Sequence, residues 1–232
     1  MMMMRMMNRN GQRLESGMAA LIQHERPASM APVLTLATAL FLATFGAGAH
    51  AAVTGDPMAT VKSTVTQVVG VLQDRSAPQE SRRERLLQVV AGRFDFADMA
   101  RETLGAHWKD LSPGQQQEFV PLFTAFMEDA YLNKIEGYSG QPISFIRESA
   151  DGTGYAQVST SVMESDKQAV RVDYRLKQEG NDWKVYDVAV DDISITANYR
   201  NQFNRVINSQ GYQGLVNTMR SKQQELQGSL AG

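Results

Sequence analysis

The feature that most constrains the fold of this chain is the alternating stretch that runs from Val170 to Lys177. Its sequence, VRVDYRLK, has an apolar side chain at every second position and a charged side chain at the positions between. Alternation with a period of two places the two sets on opposite faces of a β-strand, so that one face is covered and the other meets water. Similar patterns predict three more strands, at 143–149, 155–164 and 183–190. We therefore expect an antiparallel sheet of four strands.

Amphipathic helices are predicted on both sides of the strand block, because apolar residues occur there at steps of three and four. They begin at Pro57, Pro78, Phe94 and Ser112, and two more cover 194–209 and 214–226. Ser112 and Gln115 have the spacing of a capping box, and Pro121 is expected to kink the longest helix or to split off its first turn. This order of elements is typical of the α+β class, with about six or seven helices covering one face of a curved four-stranded sheet.

The N-terminal part of the chain has the composition of an export signal. From Pro32 to Ala51 there is no Asp, Glu, Lys or Arg, a positive charge precedes this stretch at Arg26, and it ends in the small-residue pattern AHA. Its apolar run of 13 residues is shorter than the roughly 20 residues that a bilayer-spanning helix needs. We therefore predict a leader and cleaved secretory signal over 1–51 and a single domain over 52–232.

The residue types that carry most enzyme chemistry are scarce. The chain has no cysteine, and His107 is the only histidine after the predicted signal. A net charge of −2 gives no support to nucleic-acid binding. We interpret His107 as a surface or capping residue and Asp191-Asp192 as caps of the helix that follows, because acidic side chains there satisfy free N–H groups. The sequence thus predicts no catalytic residue, no metal site and no cofactor.

Bulky aromatic side chains are spread over helices and strands that should face one another. An ordinary packed core accounts for such a distribution, and the pattern alone does not separate a core from a pocket.

Four stretches of the chain occur together in the order typical of one family. They are FDFADMAR with LGAHW at 94–108, LSP with Gln116, Phe119, Phe123 and Tyr131 at 111–131, WKVYDV with IS and NYRNQF at 183–203, and GYQGL at 211–215. Over nearly all of 57–226 the chain resembles the MlaC family of periplasmic phospholipid-binding proteins, also called the toluene-tolerance family. One departure is Asp191-Asp192, where a pair like Glu-Gly is expected.

The resemblance implies a non-enzymatic periplasmic carrier that holds the acyl chains of a diacyl phospholipid in an apolar pocket, with the headgroup outside. Its expected partners are an inner-membrane ABC transporter complex with a lipid-binding periplasmic subunit and an outer-membrane lipoprotein–porin complex. Shuttling between them would maintain the lipid asymmetry of the outer membrane. No nucleotide or nucleic acid is expected to bind.

The residues that we expect to line this pocket are the large apolar ones of the predicted helices and of the covered sheet face. They are Phe94, Phe96, Met99, Leu104, Trp108, Phe119, Phe123, Phe126, Met127, Tyr131, Val158, Val162, Val172, Tyr174, Val188, Ile195, Tyr199 and Phe203. The candidates for contact with the headgroup are Lys134, Arg147 and Arg200.

Two other functions remain open from the sequence. A ligand-free periplasmic adaptor that docks on an envelope transporter would use the same elements around a filled interior. A hydrolase or isomerase on a cone-shaped α+β scaffold is disfavoured by the single histidine and the absence of cysteine.

Overall fold

The structure, a computed structural model, describes residues 55–163 and 168–228. The predicted signal at 1–51 lies outside these residues. No helix in the described part of the chain is long and apolar enough to cross a membrane.

In the described part of the chain, four α-helices precede the sheet. They are α1 (Pro57–Gln73), α2 (Gln79–Arg93), α3 (Phe96–Leu104) and α4 (Pro113–Glu136), with a 3₁₀ turn over Gly105–Asp110. The predicted capping box is confirmed, because Ser112 N–H donates to Gln115 Oε1 at 2.9 Å and Gln115 N–H donates to Ser112 Oγ at 3.3 Å. The expected break at Pro121 is absent: α4 continues through this exposed proline.

The strands form one antiparallel sheet in the order β1-β2-β3-β4-β5. Its strands are β1 (Ile143–Ala150), β2 (Tyr155–Met163), β3 (Ala169–Glu179), β4 (Asp182–Val190) and β5 (Ile193–Ser194). The α+β class is confirmed, and the predicted number of four strands is corrected to five by a strand of only two residues. Bulges between Phe145 and Arg147 and between Arg175 and Leu176 bend the sheet.

Asp191 and Asp192 are not helix caps, as the sequence suggested, but the two residues of a hairpin loop. Val190 pairs with Ile193 across them, and their φ angles are 46° and 69°. A two-residue loop with positive φ at both positions matches the right-handed twist of the strands that it joins. The cap of the next helix is instead Ser194, whose Oγ accepts from Ala197 N–H at 3.1 Å.

The last helical stretch, α5 (Ile195–Gly228), consists of two helices joined at a kink, as the sequence suggested. It kinks at Gly211, whose φ of 72° and ψ of 177° lie outside the helical region. Residues 55–163 and 168–228 contain five α-helices, or six when α5 is divided at this kink. Tyr212, next to the kink, donates its hydroxyl proton to the carbonyl of Gln115 at 3.1 Å and so attaches the second part of α5 to α4.

The buried apolar side chains form two separate clusters. The helical cluster is built by α3, α4 and α5 around Phe119 and Phe123, and the sheet cluster is built by β2, β3 and β4 with Val61 of α1. Phe94 and Ile195 pack against both clusters. The helical layer and the sheet therefore each have their own core, and these two side chains join them.

Candidate functional site

One side of the candidate site is the apolar stripe of α4. Exposure along this stripe rises from 0% at Phe123 through 5% at Met127 to the half-buried Tyr131. Positions four residues apart lie on one face of a helix, so these side chains form a continuous line. The stripe therefore starts deep in the helical cluster and reaches the surface near the C-terminal end of α4, where Lys134 is exposed.

The other side is the apolar face of β2 and β3. Val158 and Leu176 are 0% exposed, whereas Val162 and Val172, on the same face, are half-buried. Val162 pairs with Val170, which is also half-buried, at the end of the two strands. Burial on this face therefore decreases towards one end of the sheet. The strand β1 starts at that same end, since its first residue, Ile143, pairs with Val162.

The less buried ends of the two layers lie at the same end of the domain. Only residues 137–142 separate the end of α4 from the start of β1, and six residues span at most about 21 Å. Met163 N–H donates to Pro142 O at 3.0 Å, which holds this connection against β2. We call the boundary between the clusters the seam. The half-buried Phe94 and Ile195 pack against both clusters, Tyr131 and Tyr199 pack on the helical cluster, and Val172 and Tyr174 pack on the sheet cluster.

Three tyrosines give the seam its polar groups. The ring of Tyr199 packs edge-on against Phe126 at 5.4 Å between centroids. Burial raises the pKa of Tyr131, Tyr199 and Tyr174 above the usual value for a phenol. All three therefore keep their protons at neutral pH and can donate hydrogen bonds.

The residues predicted to line a pocket divide between the two clusters. Seven are buried in the helical cluster: Met99, Leu104, Phe119, Phe123, Phe126, Met127 and Phe203. Phe96, Trp108, Tyr131 and Tyr199 pack on its surface. Val158 and Val188 are buried in the sheet cluster, and Val172 and Tyr174 pack against it. Phe94 and Ile195 pack against both clusters. Val162 is half-buried at the end of β2.

The fully buried members of this set hold the helices together. The ring of Phe203 packs edge-on against Phe119 and Phe123, at 6.2 and 6.4 Å between centroids. Such rings are occupied by protein contacts on all sides. The side chains with free surface for a ligand are therefore the half-buried ones of the seam, and their role in lining a pocket stays a prediction.

The three cations predicted to meet a headgroup lie in different surroundings. Lys134 Nζ lies over the ring of Tyr131, 5.4 Å from its centroid, and so stands beside the seam. Arg200 Nε donates to the carbonyl of Glu102 at 2.6 Å and its guanidinium pairs with the Glu102 carboxylate. Arg147 is opposite Ser159, on the polar face of the sheet. Contact of these three side chains with a headgroup stays a prediction.

The reason for the position of Arg147 is the bulge in β1. Simple alternation would put Arg147 on the same face as Phe145, which is opposite Thr160 on the apolar face. The extra residue, Ile146, shifts the register by one, so Arg147 faces the other way. Glu148 takes the apolar-face position and accepts a hydrogen bond from Met58 N–H at the start of α1 at 2.8 Å.

Two buried polar residues near the seam were not singled out from the sequence. Thr160 is 0% exposed and donates its hydroxyl proton to Val172 O at 3.2 Å. Asp187 is 2% exposed and accepts from Arg175 Nη1 at 2.8 Å. Asp187 follows Tyr186 at the bulge that faces Arg175 and Leu176, where regular alternation fails. That interruption is the only signal the sequence offers for Asp187.

Two surface grooves lie beside α1 and α2. One of about 520 Å³ is lined by Gln67, Gly70, Val71, Arg85, Gln88 and Val89, and one of about 120 Å³ by Leu72, Gln79, Arg82, Leu86 and Glu136. Neither contains a residue predicted to line the lipid pocket. Among residues 55–163 and 168–228 no group of acidic or histidine side chains could hold a metal ion, and His107 Nε2 interacts with Asn204 Oδ1 at 2.8 Å.

The fold and the seam define a class of protein: an α+β domain in which a helical layer and a sheet meet along an apolar boundary. The model of the family described as MlaC protein matches residues 62–221. The chain belongs to the MlaC family.

Several relatives support this assignment. The chain is 25% identical over 122 residues to the intermembrane phospholipid transport system binding protein MlaC of Haemophilus influenzae, a match that covers 51% of this chain and 57% of that protein. It is 25% identical over 152 residues to the toluene tolerance protein ttg2D of Pseudomonas putida, which covers 63% and 71% of the two chains. The match thus spans little more than half the length of the Haemophilus protein.

A solved structure shares the fold. It is described as the phospholipid-binding protein from Ralstonia solanacearum in complex with a phospholipid. The similarity has a TM-score of 0.67 at 25% sequence identity and covers 74% of this chain and 99% of the other.

Proposed function

We propose that this protein is a phospholipid-binding component of a lipid transport system and that it carries the acyl chains between its helical layer and its sheet. The observation that carries the proposal is that both layers lose burial towards the same end, along the seam. The relatives named for phospholipid transport and the related structure with a bound phospholipid support it.

The energetics of acyl chains explain why a carrier would need such a seam. Each methylene removed from water contributes about 0.8 kcal/mol, so two chains of roughly 16 carbons represent above 20 kcal/mol of gross transfer free energy. Separation along the seam would break the contacts of Phe94 and Ile195 with one of the clusters and leave the buried centre of each cluster intact. The acyl chains of the lipid would then replace the contacts that the helical layer and the sheet lose with each other.

We further propose that loading and release occur at partner complexes. The same transfer free energy that retains the lipid would make unaided release slow. In this proposal an inner-membrane ABC transporter complex and an outer-membrane lipoprotein–porin complex separate the layers by binding the separated state more tightly. The protein would act in the periplasm, after cleavage of the signal predicted at 1–51, and contribute to the lipid asymmetry of the outer membrane without any chemical step of its own.

The lipid content of the purified protein tests the proposal. The mature protein, exported by a Gram-negative host and purified without detergent, would be analysed by native mass spectrometry. We expect excess masses that match phosphatidylethanolamine or phosphatidylglycerol. Bare protein that also takes up no phospholipid from vesicles would overturn the proposal and favour the ligand-free adaptor, which would still dock on its transporter.

A further inference from the structure

The hairpin of α1 and α2 reaches the end of the domain where both layers lose burial, which we call the open end of the seam. Met58 N–H, at the start of α1, donates to Glu148 Oε2 at 2.8 Å, and Lys62 Nζ lies 5.5 Å from the ring centroid of Phe145. The contacts of α1 thus move towards the start of β1 as the helix advances. Leu72 lies about 15 Å further along the helix. The last turns of α1 and the turn into α2 therefore lie at the open end.

This part of the hairpin lies outside both apolar clusters. Within residues 55–163 and 168–228, α1 contributes Met58, Val61 and Val65 to the sheet cluster, and α2 contributes no side chain to either cluster. Leu86 of α2 is 0% exposed but belongs to neither. We call residues 66–86 the flap. The flap is therefore not part of the apolar cores that hold the helical layer and the sheet together.

A groove separates the flap from the end of α4. It has a volume of about 120 Å³, and its lining includes Leu72 and Leu86 of the flap and Glu136 of α4. Arg83 bridges the two sides: its Nη1 is 3.5 Å from Glu136 Oε2 and its Nη2 is 3.8 Å from Asp129 Oδ1. The three side chains are between 13% and 20% exposed, so solvent screens these ion pairs less than fully exposed ones.

The other end of α2 is fixed to the sheet. Arg93 Nη1 donates to Asp182 Oδ1 at 2.7 Å and to Trp183 O at 2.8 Å, both in β4. About 15 Å of helix separates Arg93 from Arg83. The hairpin is thus anchored at its base, whereas ion pairs connect its far end to α4.

We infer that the flap opens and closes the open end of the seam and that the ion pairs of Arg83 hold it closed. The inference rests on the proposed phospholipid-binding function and adds the part of the domain that moves when lipid is exchanged. Ion pairs near a surface contribute little free energy and break at a lower cost than an apolar core. Opening of the flap would expose the half-buried end of the seam to a lipid.

The rate of lipid exchange tests this inference. The mature protein is loaded with deuterated phosphatidylglycerol and mixed with excess vesicles of the unlabelled lipid, and native mass spectrometry follows the replacement of the label. We expect Arg83→Gln to accelerate exchange by about 2- to 5-fold at low salt, the size of effect that such ion pairs have. Asp129 also accepts from Gln223 and Gln227 of α5, at 3.3 and 3.0 Å, so the variant retains that contact between α4 and α5.

The matched control is Arg220→Gln. Arg220 Nη2 lies 2.8 Å from Glu118 Oε1, an ion pair that joins α5 to the start of α4, away from the flap. This variant should exchange lipid at the wild-type rate. A rise in ionic strength from about 0.01 M to 1 M shortens the Debye length from about 30 to 3 Å. It should therefore accelerate exchange more in the wild type than in Arg83→Gln.

A covalent link across the groove tests the inference in the opposite direction. The chain has no cysteine, so Arg83→Cys/Glu136→Cys introduces its only two thiols, and a short bismaleimide joins them after the lipid is loaded. We expect exchange at least about tenfold slower than in the same variant without the linker, because the open state is no longer accessible. Arg220→Cys/Glu118→Cys, linked in the same way, should exchange lipid at the wild-type rate.

The results separate this inference from the proposed function. Exchange at the wild-type rate in Arg83→Gln overturns the inference and leaves lipid carriage intact, and so does a linked flap that exchanges lipid as fast as the unlinked one. If the wild type takes up no phospholipid from vesicles, the proposed function itself fails. If Arg83→Gln does not fold, the linked protein is the deciding measurement.

Discussion

Asp187, in β4, accepts a hydrogen bond from the backbone N–H of Thr196, in the first turn of α5, at 3.1 Å. The same carboxylate accepts from Ser194 Oγ at 2.6 Å and from Arg175 Nη1 at 2.8 Å, and it is 2% exposed. One buried side chain therefore fixes the start of α5 against the sheet. Because Ile195 and Tyr199 belong to that part of α5, Asp187 also positions the seam.

Removal of this carboxylate should destabilise the whole domain. We expect Asp187→Ala to lower the free energy of unfolding by roughly 2–4 kcal/mol, because it leaves a cation and two further donors without their buried acceptor. Urea unfolding followed by circular dichroism measures the change. Glu225→Ala serves as the control, since its pair with Lys222 is exposed and should contribute less than about 1 kcal/mol. Equal effects of the two variants would contradict the role given to Asp187.

The hairpin loop at Asp191-Asp192 should accept glycine and reject a β-branched residue. Asp192 has a φ of 69°, a conformation that costs about 1–2 kcal/mol for most side chains and nothing for glycine. We expect Asp192→Val to lower the free energy of unfolding by about that amount. Asp192→Gly should leave it within about 1 kcal/mol of the wild type, because the variant relieves φ but loses the exposed pair with Arg171. Equal losses in the two variants, measured by thermal unfolding, would show that the loop backbone is not responsible.

The carboxyl of Asp74, the C-cap residue of α1, should titrate at low pH. A hydrogen bond from Ser76 Oγ, and after it the Arg85 guanidinium, lowers the pKa of the Asp74 carboxyl from 3.8 to about 2. The folded pKa lies below the unfolded one, so the stabilisation by this carboxylate is complete above 3.8 and disappears as the pH falls through about 2. We expect an NMR titration to find this low value in the wild type and a higher one in Ser76→Ala. An unchanged pKa in that variant would contradict the assignment of the cause to Ser76.

A charge placed on the apolar side of the seam should interfere with lipid retention. Val172→Glu puts a carboxylate at a half-buried position of β3 where acyl chains would lie, and we expect roughly a tenfold or greater loss of bound lipid because the charge lacks a partner there. Native mass spectrometry of the purified variant measures the loss.

The matched control for Val172→Glu is Gln157→Glu, which adds the same charge on the opposite face of the sheet, across from Arg175. Retention at the wild-type level in both variants would place the lipid elsewhere. Phe123→Glu is unsuitable for this purpose, because Phe123 is 0% exposed and its loss would disrupt the helical cluster before any effect on lipid could be measured.

The sequence predicts the strands well because the alternation from Val170 to Lys177 depends only on local periodicity. The same holds for the Ser112–Gln115 capping box, whose partners are three residues apart. In both cases the information that determines the structure lies within a few residues along the chain.

The local pattern does not determine features in which residues distant along the chain decide the structure. Arg147 changes face because one residue in β1 bulges away from its pairing with β2. Asp191 and Asp192 form a hairpin loop because Ile193 pairs with Val190 at the end of β4. The ion pair between Arg200 and Glu102 depends on the packing of α5 on α3, and contact of Arg200 with a headgroup stays a prediction. None of these outcomes is contained in the local periodicity.

The separation of the buried side chains into two clusters has a consequence for how the domain comes apart. Regions with their own cores tend to open as independent cooperative units, at a free-energy cost below that of global unfolding. Backbone amides near Phe119 and Phe123 and those near Val158 and Leu176 should then stay protected from hydrogen exchange during an opening that exposes Ile195. Under the proposed function, such an opening would admit acyl chains while both cores stay folded.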